Sequence, residues 1–270
     1  MPAHLERMGS VEAIADTKGA IYDDLGPAGT AIINRDQPWA ETWQARAGDA
    51  RVIDYAMTTQ AAVTASDIRL LGAEGLEFTA HTPAGDLAVA LKLPGRHNVS
   101  NALAAIAVGL ACNLSLAEFG RGLTSVEPVA GRLSVQRSAG GASIIDDCYN
   151  ANPGSVRAAI DLLAACPGQR VLLLGAMREL GPDSERLHSE MGAYAAECGL
   201  DGLWGVGPEL APTVEVFGKG GRWFATLDEA RSAVAGAFAG DSTVLVKGSR
   251  GAQMEQLLPA LLGETESLPC

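Results

Sequence analysis

Several common signals are missing from this chain of 270 residues, and each absence narrows its function. The five cysteines are scattered without CxxC spacing, which argues against a disulfide framework or a zinc site and favours reduced thiols. No GxxxxGK[ST] phosphate loop occurs, and no GxGxxG follows a strand-like run, which disfavours a nicotinamide-dependent dehydrogenase. Residues 1–10 lack the plan of a signal peptide, and no apolar run is long enough to span a membrane. We therefore expect a cytoplasmic protein that does not insert into membranes.

Positive charge is also scarce. The formal net charge is −12, so there is no basic surplus to meet the phosphates of a nucleic acid or of an acidic membrane. Any phosphate-binding site must therefore depend on a few nearby basic side chains or backbone amides rather than on the overall charge of the protein. A composition of 47% hydrophobic and 19% charged residues is typical of a globular protein, and the length is sufficient for two domains with cores of their own.

The pattern of the chain changes near residues 128–131, where Pro128 and Gly131 interrupt it. Before this break, an amphipathic segment over residues 10–25 with Ser10 as its N-cap precedes short strand-like runs, two hairpin turns and two helices. After the break, continuous apolar strands alternate with amphipathic helices, the last two of which are expected near residues 227–238 and 252–262. That alternation predicts an α/β fold with a parallel sheet covered on both faces.

Ligands of such sheets bind beyond the carboxyl ends of the strands. Unusual polar residues occupy this position three times: Asp146 and Asp147 after one strand, residues 175–181 after the next, and residues 247–250 after the last. We expect these three segments to form the binding site of the second half.

The segment from Leu93 to Ala102 runs from a turn directly into a helix. Asn98 and Asn101 lie three residues apart, so both carboxamides face the same side of the first helical turn. A carboxamide carries a donor and an acceptor together, which suits the edge of a purine. The alternative interpretation is that Asn98 serves only as an N-cap.

Two further segments carry chemistry. Residues 146–153, DDCYNANP, join a buried strand to a helix and hold two acids, two amides and a tyrosine. Asn152 as N-cap with Pro153 at the first helical position explains only the last two residues. Residues 247–251, KGSRG, place a lysine and an arginine at a helix start, which favours an anion such as a carboxylate or phosphate. The alternative for this second segment is a solvated basic loop.

Together these segments resemble the Mur ligases, the ATP-dependent amide-forming enzymes of peptidoglycan synthesis, and within that family the type that adds D-alanyl-D-alanine. The resemblance covers the whole chain in order. It is carried by residues 2–6 with 9–10, 17–21, 95–101, 131–133, 146–153, 180–188 and 247–255. The DDCYNANP and KGSR…ME segments distinguish this type from its relatives.

The resemblance implies a fold and an activity. Residues 1–130 are expected to be the later part of the central ATP-binding domain, and residues 131–270 the Rossmann-like C-terminal domain. ATP would phosphorylate the carboxylate of UDP-N-acetylmuramoyl-tripeptide, and the amine of D-alanyl-D-alanine would attack the acyl phosphate. The implied cofactors are ATP and Mg²⁺, and the protein is expected to be a monomer.

The resemblance also implies the site residues. Catalytic roles are implied for Lys18, His4 and His188, with His4 and carbamylated Lys18 holding Mg²⁺. Nucleotide contacts are implied for Asn98, Asn101, Arg132, Asp147 and Tyr149. Contacts with D-alanyl-D-alanine are implied for Asn150, Asn152, Lys247, Ser249 and Arg250.

The chain departs from the family pattern at two residues. Ala176 stands where the family usually has an aspartate, and Cys148 replaces a serine. The chain also begins where the family is halfway through its central domain, so we expect a truncated or alternatively started form that is inactive alone. The alternatives are a non-catalytic remnant that binds nucleotide or dipeptide, and a ligase similar to folylpolyglutamate synthetase.

Overall fold

A computed structural model describes residues 8–263, which divide into two compact units, residues 8–127 and residues 128–263. The fold is mixed α/β, as the sequence predicts. None of the helices described within residues 8–263 combines the length and the hydropathy that a membrane span requires.

The first unit carries a parallel pair of strands, an antiparallel three-stranded sheet and, among its described residues, the four α-helices given below. Its strands are β1 (Thr30–Asn34), β2 (Arg51–Tyr55), β3 (Thr64–Leu70), β4 (Leu76–Thr82) and β5 (Gly85–Leu91). Its helices are α1 (Val11–Gly19), α2 (Ala40–Arg46), α3 (His97–Ala111) and α4 (Leu116–Thr124).

Helix α3 forms the centre of the first unit. Its Val99, Leu103 and Ile106 are fully buried in a cluster that includes Leu76 and Phe78 of β4. The spacing of three and four residues gives α3 one apolar face, and burial of such side chains contributes about 1.5–3 kcal/mol each. This packing fixes the helix whose first turn carries Asn98.

The second unit is built on one six-stranded sheet. Its strands are β6 (Ser134–Arg137), β7 (Ser143–Asp147), β8 (Arg170–Gly175), β9 (Gly202–Val206), β10 (Gly221–Phe224) and β11 (Thr243–Lys247). Its α-helices are α5 (Pro153–Ala164), α6 (Ser184–Glu197), α7 (Ala211–Phe217), α8 (Leu227–Val234) and α9 (Leu258–Leu262).

The strand order of this sheet is β10-β9-β8-β11-β7-β6, and every neighbouring pair is parallel except β6 with β7. The chain therefore returns from the far edge and inserts β11 between β7 and β8. Because the carboxyl ends of parallel strands share one edge, the loops that follow β7, β8 and β11 are neighbours.

Both faces of the sheet are covered. Successive side chains of a strand point to opposite faces, and Val171, Leu172, Leu173 and Leu174 of β8 are all buried to 1% exposure or less. Helix α5 packs against β8 and β11, while α8 and α9 belong to the apolar cluster that contains Val171 and Leu173. The prediction of a doubly covered parallel sheet is confirmed.

The boundaries of several elements differ from the sequence-based expectation. The helix expected over residues 252–262 is two 3₁₀ segments and the short α9, because Gln253 adopts a left-handed φ of 51°. Helix α8 ends at Val234 rather than near residue 238, since Ala235 is extended. Short elements α2, β6, α7 and β10 were not expected, because a run of four to seven residues carries little periodicity.

Candidate binding site

A cavity of about 410 Å³ lies in the second unit, at the carboxyl ends of its central strands. Its walls come from the loops after β7, β8 and β11, the three segments that the sequence marks as polar. The lining residues are Tyr149, Asn150, Ala151, Asn152, Arg178, Glu179, Leu180, Ser249, Arg250 and Gly251. This volume is in the range of pockets that bind small molecules.

The loop after β7 is fixed by backbone contacts of its first acid. The carboxylate of Asp146 is buried and accepts hydrogen bonds from the amides of Gly131 at 2.8 Å and Cys148 at 3.1 Å. The thiol of Cys148 is also buried and donates to the Val246 carbonyl, and burial raises the pKa of this thiol. Cys148 is therefore a buried packing residue, and it is not among the residues that line the cavity.

Lys247 and Asp147 form a buried ion pair. The ammonium Nζ lies 2.5 Å from Asp147 Oδ2 and donates to the Asn150 carbonyl at 2.8 Å, and the lysine side chain is 2% exposed. Burial raises the pKa of Asp147, although the adjacent Lys247 lowers it. Two of the three donors of the Lys247 ammonium tie the end of β11 to the loop after β7, and its expected contact with the dipeptide stays a prediction. Asp147 was expected to bind ribose hydroxyls. In the structure its Oδ2 atom accepts a hydrogen bond from Lys247.

Ser249 joins all three loops. Its hydroxyl accepts from the amide of Arg178 at 2.8 Å and donates to the carbonyl of Ala151 at 3.2 Å, while its own amide donates to Ala176 at 3.0 Å. The side chain is 3% exposed. Ser249 lines the cavity as expected, yet its hydrogen-bonding groups serve the framework. Ala176 is buried, and its methyl group offers no acid function.

His188 does not reach the cavity, which corrects its expected catalytic role. The imidazole is fully buried: Nε2 accepts from the Met177 amide at 2.8 Å and Nδ1 lies 2.7 Å from the Ser184 carbonyl. Only a neutral ring with the proton on Nδ1 satisfies both contacts. Burial lowers the pKa of His188, which agrees with this tautomer. With both nitrogens occupied, His188 anchors the loop after β8.

The two asparagines of the DDCYNANP segment retain donors at the cavity. Asn152 is the N-cap of α5 and accepts from the Ser155 amide at 2.9 Å, with Pro153 at the first helical position as predicted. Asn150 accepts from the amide of Ala151 at 2.9 Å. Within residues 8–263 neither Nδ2 group has a hydrogen-bond partner, so both remain for a ligand.

Two charged lining residues were missed by sequence reasoning. Arg178 and Glu179 belong to the loop after β8, and Arg178 contacts Glu209 at 3.3 Å with an exposed guanidinium. Together with Arg250, whose side chain is 76% exposed, they are the charged residues of the lining. Residues 175–181 directly follow a central strand, and this position could have indicated that Arg178 and Glu179 line the cavity.

Arg132 and Tyr149 form a separate contact beside the cavity. The Arg132 guanidinium lies 4.2 Å from the centre of the Tyr149 ring, a cation–π geometry. Gly131 adopts a φ of +76°, and a Cβ there would lie 3.2 Å from the Tyr149 amide. The turn at Gly131 therefore needs both the left-handed conformation and the missing side chain.

In the first unit, Asn98 and Asn101 form a hydrogen-bonded chain. Asn98 is 9% exposed; its Nδ2 donates to the Pro94 carbonyl at 2.8 Å, and its Oδ1 accepts from Asn101 Nδ2 at 2.9 Å. The N-cap of α3 is Arg96, so the N-cap interpretation of Asn98 is wrong. Asn98 orients Asn101, which is exposed and presents its carbonyl oxygen.

The residues expected to hold a metal are not assembled in the described part of the chain. Lys18 is exposed in the last turn of α1, and His4 lies outside the described residues. Over residues 8–263 no group of three or more His, Cys, Asp or Glu side chains could hold a metal ion. This part of the chain does not fit a Mg²⁺ site by itself.

Two protein-family models match this chain, and each of them covers most of one unit. Residues 1–109 match the model of the Mur ligase middle domain, and residues 131–250 match that of the Mur ligase, glutamate ligase domain. Together these two models cover most of the chain.

Two curated relatives and one solved structure show the extent of the similarity. The UDP-N-acetylmuramoyl-tripeptide–D-alanyl-D-alanine ligase of Escherichia coli (strain K12) is 38% identical over 96% of this chain and 58% of the relative. That of Haemophilus influenzae is 36% identical over 81% of this chain and 47% of the relative. A crystal structure of MurF from Acinetobacter baumannii superposes with a TM-score of 0.87 at 32% identity, over 96% of this chain and 57% of that one. The chain thus spans about half the length of these relatives.

Proposed function

The chain belongs to the Mur ligase family, and from that premise we propose that it acts in the ATP-dependent addition of D-alanyl-D-alanine to UDP-N-acetylmuramoyl-tripeptide. In this proposal ATP activates the tripeptide carboxylate as an acyl phosphate. The amine of the dipeptide then attacks, and phosphate leaves. The reaction would take place in the cytoplasm as a step of peptidoglycan synthesis, with the protein acting as a monomer.

One observation carries the proposal. The loops after β7, β8 and β11, which bear residues 146–153, 175–181 and 247–251, converge on a single cavity. These segments lie as much as a hundred residues apart in sequence, as the Asp147–Lys247 contact shows. The cavity presents the exposed guanidinium of Arg250, and a planar guanidinium suits a carboxylate through two parallel hydrogen bonds.

Within this proposal the cavity residues divide into two groups. Arg250, Asn150 and Asn152 bind the dipeptide, because their donors remain at the cavity. Lys247, Ser249 and His188 act through the backbone of the loops, which they hold in place. A site held in this way binds its ligand without the cost of ordering mobile loops.

Nucleotide contacts are proposed for each unit separately, as the family resemblance implies them. Asn101 is proposed to contact adenine, with Asn98 fixing its orientation. Arg132, Tyr149 and Asp147 are proposed to lie near the ribose and phosphates. Mg²⁺, His4 and carbamylated Lys18 belong to the proposal as the family resemblance implies them, and no step is derived through them. The boundary between residues 1–130 and 131–270 is proposed on the same basis.

Calorimetric titration of the 270-residue chain with D-alanyl-D-alanine tests the proposal. We expect binding by the unaltered chain and a loss of about tenfold or more in affinity for Arg250→Ala, since a charge-assisted pair contributes about 1.5–3 kcal/mol. The matched control is Arg137→Ala on edge strand β6, which should bind as the unaltered chain does. Equal affinity of both variants, or no binding by the unaltered chain, would refute the proposed site.

A further inference from the structure

Three neighbouring strands of the first unit bring a serine, a histidine and an aspartate together. The Oγ atom of Ser66 on β3 lies 2.9 Å from Nε2 of His81 on β4, and Nδ1 of the same ring lies 2.8 Å from Oδ1 of Asp86 on β5. A nucleophile within hydrogen-bond reach of a base, whose other side contacts a carboxylate, is the arrangement that activates serine in unrelated folds. The cluster therefore has the parts of a nucleophilic site.

The hydrogen bonds define the roles of the two ring nitrogens of His81. The Asp86 carboxylate can only accept, so Nδ1 of the neutral ring carries the proton and donates it. Nε2 is then an acceptor, and the hydroxyl that it faces is that of Ser66. His81 is thus oriented as a general base toward Ser66, and 41% of its side chain is exposed, so a substrate can reach it.

A small cavity lies next to Ser66 on the side away from the histidine. Thr79 of β4 pairs with Ser66, and Ala88 of β5 pairs with Thr79, so these three residues form one row on the outer face of the sheet. The histidine and the aspartate pair with each other in the row on one side. On the other side the cavity, of about 280 Å³, extends from Thr79 and Ala88 to Ala90. Small side chains and this volume suit a short acyl group.

The strand that carries Ser66 is irregular directly after this residue. Between Ser66 and Arg69 the register of β3 against β4 shifts, and Asp67 has a left-handed φ of 52°. Such a bulge leaves its extra residue unpaired in the ladder, and bulges are frequent beside active sites. A backbone amide next to a nucleophile can stabilise the oxyanion that forms during attack.

Asp67 also competes for the hydroxyl proton of Ser66. Its Oδ2 atom lies 2.7 Å from Oγ, and a hydroxyl has a single proton to donate. The proton can point to Asp67 or to His81, and only the second orientation prepares Oγ for attack. Removing the charge of Asp67 should therefore favour the reactive orientation.

We propose that Ser66, His81 and Asp86 form a hydrolytic site for esters of short-chain carboxylic acids. Oγ attacks the carbonyl carbon, the Oγ proton passes to Nε2 of His81, and the alcohol leaves with that proton. Water then attacks the acyl group on Ser66 and gives a proton to His81, and the carboxylic acid is released as this proton returns to Oγ. Ester and water are thus converted to acid and alcohol without another reactant. The site lies within the first unit and does not rest on the function proposed for the chain.

Covalent labelling of the 270-residue chain with diisopropyl fluorophosphate tests the proposal. This reagent transfers its phosphoryl group to activated serines with loss of fluoride. We expect peptide mass spectrometry to locate the label on Ser66, and we expect unfolding in urea to abolish the labelling because the three strands separate. The folded chain should also hydrolyse p-nitrophenyl acetate, and Ser66→Ala should reduce this rate to that of the unfolded chain.

Two variants of nearly unchanged size remove the base and the carboxylate that orients it. His81→Gln and Asp86→Asn should each lower the rate of labelling by about a hundredfold or more, as expected for loss of general-base catalysis. Asp67→Asn, which places another residue tolerant of the left-handed conformation there, should raise the rate about fivefold, because a neutral acceptor competes less for the hydroxyl. Ser125→Ala, at an exposed serine of the same unit whose hydroxyl donates to a backbone carbonyl, is the matched control and should change neither rate. Circular dichroism of each variant monitors its folding.

The outcomes decide the assignment. A label on Ser66 that depends on His81 and Asp86 would support the proposal. An unlabelled Ser66 in the folded chain, equal labelling of His81→Gln, or unchanged ester hydrolysis by Ser66→Ala would overturn it. A lower rate in Asp67→Asn would identify Asp67 as the base and overturn the assignment to His81.

Discussion

The buried pair of Lys247 and Asp147 gives the sharpest test of how the cavity is supported. Replacing Lys247 with methionine keeps the volume of the side chain but leaves the Asp147 carboxylate and the Asn150 carbonyl without their donor. Both partners are largely withdrawn from solvent, with 2% and 17% of their side chains exposed. Breaking a buried pair on one side costs about 3–5 kcal/mol. We expect Lys247→Met to destabilise the second unit by that amount.

Native-state hydrogen exchange of the amides of β8 and β11 measures this loss, because core strands exchange only through opening of the unit. Lys219→Met, at an exposed lysine, is the matched control and should change the free energy of opening by less than about 0.5 kcal/mol. Adding Asp147→Asn to Lys247→Met removes the uncompensated charge. The double variant should therefore recover about 2 kcal/mol or more of the loss.

The pH dependence of the same variant has a defined sign. Burial raises the pKa of Asp147, and removal of Lys247 takes away a contribution that lowers it. A carboxyl whose folded pKa exceeds its unfolded value of about 3.9 stabilises the fold below that value and loses the contribution as pH rises through the folded pKa. The deficit of Lys247→Met should thus be larger at pH 7 than at pH 5. A deficit below about 1 kcal/mol that does not vary with pH would refute the account of this pair.

Three further predictions concern other residues. Burial lowers the pKa of His188, so the unfolded chain takes up a proton near pH 6.5 that the folded chain does not. The free energy of unfolding should therefore fall as the pH is lowered through that value, by as much as about 1.4 kcal/mol per pH unit. His188→Gln should flatten this slope in urea denaturation, whereas His81→Gln, a change in the first unit, should keep it; equal slopes would contradict the assignment. Asn101→Ala should weaken ADP binding in a calorimetric titration without destabilising the chain, whereas Asn98→Ala should lower both affinity and melting temperature, and the reverse pattern would exchange their roles. Gly131→Ala should cost about 1–2 kcal/mol in urea denaturation because its φ of +76° is left-handed, and a neutral result would show that the turn adjusts.

The position of the site could be predicted from the sequence, because it depends on topology. Parallel strands bring their carboxyl ends to one edge, so polar residues at 146–153, 175–181 and 247–251 had to meet there once β11 lay between β7 and β8. The sequence pattern itself shows that polar residues directly follow the apolar strands. The convergence of the three loops on one cavity follows from it.

The role of each side chain could not be predicted in the same way. A lysine in a motif indicates a charge near the site, but not whether that charge faces a ligand or an aspartate such as Asp147. Ser249 and His188 likewise supply hydrogen bonds to backbone amides of the loop after β8, which only the three-dimensional arrangement reveals. The strand-end position of residues 175–181 marks the loop that holds Glu179, but it does not predict the left-handed φ of +62° at that residue.

A titration of the isotope-labelled chain with D-alanyl-D-alanine, followed by backbone amide NMR, tests the central claim most directly. The account predicts shift changes concentrated in the loops of residues 148–152, 176–181 and 248–252, which form the cavity. It predicts that Arg250→Ala weakens these changes at equal ligand concentration. Changes confined to residues 8–127, or an absence of changes at saturating dipeptide, would contradict the account.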